Sequence, residues 1–173
     1  MEMRTAPPGP VGAHVVGWLL ALSGALAGAL LVALACGRDA TPPEERIRAV
    51  LAALESGAEA KNAGAMKEHV SETYADAHGN DKRAIAQLVA FHLLRNQSVY
   101  LLTRVRAVAV EAPGKGRAEV LVAMAGTPID GPEALLSLRA DLYRFDLEFA
   151  EEADGAWRIR SAEWRPAAVD DFR

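Results

Sequence analysis

Cysteine occurs once in the 173 residues, at position 36, so no disulfide can close within the chain and no cysteine-rich metal site can be built. Charge of either sign is unclustered: 19 basic and 23 acidic residues leave a formal net charge of −4. A mildly acidic surface without a basic patch argues against binding to a phosphate backbone, so nucleic acid is not an expected partner. No internal repeat is visible, and no cofactor is expected. These absences leave a small chain of one ordinary domain plus an extension.

Apolar residues, by contrast, are concentrated at one end. The stretch from Val15 to Ala35 holds no charged residue and stops at Cys36-Gly37-Arg38. Arg4 is the only firm positive charge before it, and Glu2 opposes that charge. Ala33-Leu34-Ala35 fits the small-x-small pattern of a secretory cleavage point. With Cys36 next, the segment resembles the lipobox of bacterial lipoproteins, although Leu34 stands one place later than the preferred leucine. The resemblance implies that Cys36 is lipidated, that residues 1–35 are a signal peptide, and that residues 36–42 are the tether of a domain held at the cell envelope by acyl chains. Two other readings stay open. The run is long enough to be an uncleaved inner-membrane anchor, and ordinary cleavage after Ala35 would release a soluble protein. The expected partner is therefore a membrane, reached through a lipid or an N-terminal helix.

Residues 43–167 read as one α+β domain and residues 168–173 as a C-terminal tail. Thr41-Pro42-Pro43-Glu44 has the spacing of a capping box, with the Thr41 hydroxyl as the cap. A helix should follow, burying Ile47, Val50, Leu51 and Leu54. A shorter helical stretch carries Met66, Val70 and Tyr74. Asn80 or Asp81 caps a third helix from about Lys82 to Arg95, with Ile85, Leu88, Val89 and Phe91 on its apolar arc and His92 near its middle. The period then changes to two. Strands are expected over 98–111 and 117–125, joined by the turn Ala112-Pro113-Gly114-Lys115-Gly116, then along Arg139 to Phe149 and from Trp157 to Trp164.

Helices followed by an antiparallel meander, closing on Trp157-Arg158-Ile159-Arg160-Ser161-Ala162-Glu163-Trp164, resemble the nuclear-transport-factor-2-like (NTF2-like, SnoaL-like) superfamily. That resemblance also rests on Tyr74-Ala75-Asp76 through Gly79-Asn80-Asp81. It implies a curved sheet wrapped around helices into a cone with a pocket. The short first strand of that superfamily has room only at Val70 to Tyr74. The fold hosts many activities and fixes none.

Four residues are candidates for lining a ligand pocket: His92, Tyr143, Trp157 and Trp164. His92 on the third helix would border the cavity as a base or a hydrogen-bonding group; the plainer reading is a core histidine bonded to a backbone carbonyl. Tyr143 shares a strand face with Asp141 and Arg139, which read as an ordinary exposed pair. Trp157 and Trp164 fall on opposite sheet faces unless a bulge intervenes. His69, Glu72, Asp76 and His78 lie close in sequence but form no familiar metal motif, and no metal is expected. The first two strands look apolar on both faces, with Val99, Leu101 and Val105 against Leu102, Val108 and Val110. That pattern suggests that a second copy covers the convex face in a homodimer.

The leading expectation is a non-enzymatic envelope lipoprotein whose domain binds a small apolar ligand or a protein. A pocket enzyme of isomerase, dehydratase or hydrolase type, using His92 or a pocket carboxylate, comes second. A structural domain with a filled cavity comes third.

Overall fold

A computed structural model describes residues 41–173. Cys36, the apolar run before it and most of the tether lie outside the described residues. The chain folds in the expected order: helices α1 (Pro43–Glu59), α2 (Ala63–Glu68) and α3 (Lys82–Arg95), then strands β1 (Tyr100–Ala112), β2 (Lys115–Ala125), β3 (Ala140–Glu151) and β4 (Trp157–Pro166). Two 3-10 helices, Pro132–Leu136 and Val169–Phe172, complete the chain. The strands form one antiparallel sheet in the order β1-β2-β3-β4. Among the described residues, no helix is long and apolar enough to cross a membrane.

Local chemistry fixes the helix ends. α1 starts on Pro43, whose missing N–H costs nothing in the first turn, and carries Glu44 and Glu45 at its positive end. The expected capping box does not form: the N-cap is Pro42, no side chain caps the helix, and Thr41 lies one residue too early. Asn62 caps α2 by accepting from the Ala65 amide at 3.0 Å. Asp81 caps α3 by accepting from the Ala84 amide at 2.7 Å. Gly57 lets α2 approach α1 closely, since a Cβ there would stand 2.8 Å from Met66 Cγ.

Bulges give the sheet its curvature. In β1 the pairing slips between Val105 and Ala107, leaving Arg106 extra. As a result Val105, Val108 and Val110 all join the main core rather than dividing between two faces. That core fills the concave side, where Ile47 and Leu51 of α1 meet Val120, Leu147, Phe149, Trp157 and Ile159 of the sheet. In β4 the pairing slips at Arg160, between the partners of Glu148 and Phe149. The outer edge of β4 is covered by the segment after α2: the Ser71 amide donates to the Ile159 carbonyl and the Ile159 amide to that of His69, both at 2.9 Å. Val70 thus bridges Ile159 in parallel, in the place reserved for a short first strand, and the sheet edge is protected.

The convex side carries an apolar cluster of its own. Its apolar residues Leu102, Leu121, Ala123 and Leu142 are covered by Leu135 and Phe172 of the same chain. Of the residues that suggested a second copy, Leu102 is covered from within the chain, while Val108 and Val110 face the main core. Elsewhere this face is charged, with Arg144 paired to Glu119 and Arg165 to Asp146 at 2.7 Å. The last residues are not a free tail. The Ala168 amide donates to Asp171 Oδ2 at 2.8 Å, and this turn drives Phe172 into full burial.

Candidate functional site

Between the concave face and the three helices lies a cavity of about 480 Å³. Its walls are aliphatic and aromatic: Leu54 and Ile85 from the helices, Val120, Val122 and Met124 from β2, and Phe145 from β3. Polarity enters at few points, chiefly His92 from α3, Thr103 from β1 and Tyr143 from β3. Glu55 and Lys67 are its charged contributors. This composition, an apolar hollow with a few convergent polar groups, is typical of small-molecule sites.

His92 is positioned by the helix period. Ile85, Val89 and His92 follow at i, i+4 and i+7 and turn the same side of α3 toward the sheet. The His92 Nε2 atom is buried, and among the described residues nothing hydrogen-bonds to it. A core histidine bonded to a carbonyl would have a partner there. A buried ring nitrogen without one costs free energy until some group supplies the bond.

Tyr143 and Trp164 also line the cavity. The two tryptophans share the concave face because the extra residue Arg160 restores the phase between them. Trp157, however, does not line the cavity. It is buried in the closed end of the core, against Ile47 and the bare backbone of Gly116, where a Cβ would stand 2.5 Å from Ile47 Cδ1 and 3.1 Å from Trp157 Cζ3. Trp164 packs its ring 4.9 Å, centroid to centroid, from that of His78.

Sequence patterning misassigned part of α3. Leu88 and Phe91 were expected on the buried arc, but both are exposed, and Leu93 is buried instead. Leu88 still touches the cavity. Among the many cavity residues that patterning did not name are Met66, Thr103 and Met124. Strand alternation already put Thr103 in phase with Leu101, and the two methionines gave no signal beyond general hydrophobicity.

The polar cluster before α3 is structural. Asp76 accepts from the His78 and Asn80 amides at 2.9 and 3.0 Å, from Asn80 Nδ2 at 2.9 Å and from Tyr74 Oη at 3.0 Å. Burial pushes its carboxyl up, but the bonds from Asn80, Tyr74 and His78 together outweigh that and hold it below the usual carboxylate range. Burial, reinforced by Asp76, pushes the Tyr74 phenol well above its ordinary value. Tyr74 reaches the cavity wall with its hydroxyl already engaged. Glu72 pairs with Lys82 at 2.8 Å. His69 is lowered from its ordinary value by burial and then by Arg158. Among the described residues, no three histidine, cysteine or carboxylate side chains converge as metal ligands. Asp141 is exposed at the end of β3, away from the cavity lining.

No protein-family model matches the chain, and comparison with curated proteins finds no match. Solved structures do match. A candidate dehydratase from the NTF2-like family of Streptomyces avermitilis is 12% identical with a TM-score of 0.56, covering 72% of this chain and 96% of that one. A ketosteroid isomerase-like protein from Erwinia carotovora atroseptica is 10% identical with a TM-score of 0.55, over 72% and 96% of the two chains. A domain of unknown function with a cystatin-like fold from Nostoc punctiforme is 15% identical with a TM-score of 0.57, over 74% and 80%. Identities this low carry the fold and not the chemistry. The described domain thus has the NTF2-like fold: a curved four-stranded antiparallel sheet with helices in its concavity and a cavity between them.

Proposed function

We propose that this chain is an envelope lipoprotein whose domain binds a small, largely apolar molecule bearing one hydrogen-bonding group. The observation that carries the reading is the unpartnered Nε2 of His92 in an otherwise apolar cavity of about 480 Å³. The apolar walls supply affinity by removing hydrocarbon from water. His92 supplies orientation and selectivity, because its nitrogen is satisfied only by a ligand that presents a polar atom there. An open cavity also counts against a purely structural domain filled by its own side chains.

A second reading is a pocket enzyme of isomerase, dehydratase or hydrolase type with His92 as base. It draws support from the same nitrogen, and from neighbours in fold named as dehydratase or isomerase-like. The binding reading is preferred because the cavity-lining carboxylate, Glu55, belongs to α1 and no bond ties it to His92.

Two experiments test the proposal. Expressed in a bacterial host, the wild type is expected to lose residues 1–35, gain acyl mass at Cys36 and fractionate with membranes, while Cys36→Ala is not acylated. Full-length chains of both forms in the inner membrane would replace the lipoprotein with a membrane-anchored protein. For the cavity, the full chain in membranes is photolabelled with a diazirine-bearing long-chain alcohol and the adducts are mapped by mass spectrometry. Adducts on Met124, Met66 and neighbouring cavity residues are expected. Adducts confined to the N-terminal run would remove the binding site.

A further inference from the structure

Helix α3 has a second apolar stripe, turned away from the core. Leu88, Phe91 and Leu94 recur at helical spacing and are 47%, 59% and 78% exposed. Single exposed leucines are ordinary, but three large residues along one helix face form a patch. The helix is also basic. Between Lys82 and Arg95 it contains no aspartate or glutamate, in a chain whose net charge is −4. Lys82 is engaged by Glu72. Among the described residues Arg83 has no ion-pair partner, and the Arg95 guanidinium lies over the Phe91 ring, 5.5 Å from its centroid.

An apolar helix face bordered by arginines matches the chemistry of an anionic lipid surface, which takes the apolar residues into the acyl boundary and the arginines at its phosphates.

We propose that the outer face of α3 lies on an anionic lipid bilayer, with Leu88, Phe91 and Leu94 in the headgroup boundary and Arg83 and Arg95 at lipid phosphates. Leu88 belongs both to this stripe and to the cavity lining, so the same orientation sets the cavity against the bilayer. The inference rests on the membrane address proposed above, and the test separates the two.

The full chain carrying Cys36→Ser, so that a single engineered thiol is labelled, is mixed with vesicles of equal parts phosphatidylglycerol and phosphatidylcholine. An environment-sensitive fluorophore is placed at Leu94→Cys or, on the convex face, at Glu163→Cys; both positions are exposed, so neither label disturbs packing. Flotation reports whether this chain is on the vesicles; the lipid address is read separately from the acyl mass on wild-type Cys36. The emission at Leu94 is expected to shift to the blue and to be quenched by acyl-brominated lipid, while that at Glu163 is not. With Arg83→Glu and Arg95→Glu together, quenching at Leu94 should fall to roughly half or less. A Cys36→Ser chain that does not float overturns this inference, whereas wild type without acyl mass on Cys36 overturns the address. A chain that floats with Leu94 as wet as Glu163 overturns this inference alone. A blue shift without quenching by brominated lipid also overturns it, because protein then covers the face, either a second copy or the N-terminal run.

Discussion

Trp157 and Trp164 lie on the same face of the sheet although seven positions separate them, because Arg160 is inserted between the pairs Glu148–Ser161 and Phe149–Ile159. The two rings then do different work. Trp157 is buried at the closed end of the core, whereas Trp164 is half-buried and borders the cavity. Trp157→Ala should destabilise the domain by about 3–5 kcal/mol. Trp164→Ala should cost less than half as much, since the neighbouring hollow and solvent already limit its contacts. Urea denaturation of the two variants checks this, and equal losses would contradict the assignment.

Gly116 is the second constraint at that closed end. Gly116→Ala places a methyl against the fully buried Ile47 and against Trp157, and should cost about 1–3 kcal/mol through overpacking. Gly126→Ala meets nothing within 4 Å and should be close to neutral. Thermal melts of the two variants give the comparison.

The Asp76 carboxylate ties the segment before α3 into one unit. Its folded value lies below the unfolded one of about 3.9. The stability it contributes is therefore present above that unfolded value and is lost as pH falls through the folded one. Asp76→Asn should cost about 1–2 kcal/mol at neutral pH, and the gap to wild type should close in acid. Denaturation at several pH values tests the sign; a gap that widened in acid would contradict it.

Phe172 closes the convex face. Its replacement by alanine, or removal of residues 169–173, should cost about 3–5 kcal/mol and uncover Leu121 and Leu135. Light scattering should then show more self-association than the intact chain has at the same concentration. An unchanged melting point after truncation would return these residues to the status of a tail.

What was legible in the sequence follows from the strength of each local signal. The limits of α3 were readable because Asp81 caps it and its apolar spacing is regular, but its buried arc was not. Apolar residues occupy both sides of that helix, and periodicity alone does not say which side meets the sheet. Thr41 offered a better capping box on paper than Pro42, yet helix α1 begins at Pro43 without a side-chain cap. The bulges at Arg106 and Arg160 change strand phase by one residue and leave no compositional trace, so both the faces of β1 and the pairing of the tryptophans were misjudged or left open. The burial of Phe172 rests on a turn of four residues, too short for any period to appear. Of the pocket candidates, His92, Tyr143 and Trp164 are brought together, and Trp157 belongs to the core.

The central claim is that His92 Nε2 serves a ligand's polar atom. Two photoreactive probes of equal chain length, one ending in a hydroxyl and the other in a methyl group, are titrated against the full chain in membranes, as wild type and as His92→Leu. The wild type should label its cavity residues at about tenfold lower concentration of the alcohol than of the alkane. In His92→Leu that preference should vanish while alkane labelling is retained. Equal labelling of the wild type by both probes, or a preference that survives in the variant, would contradict the account.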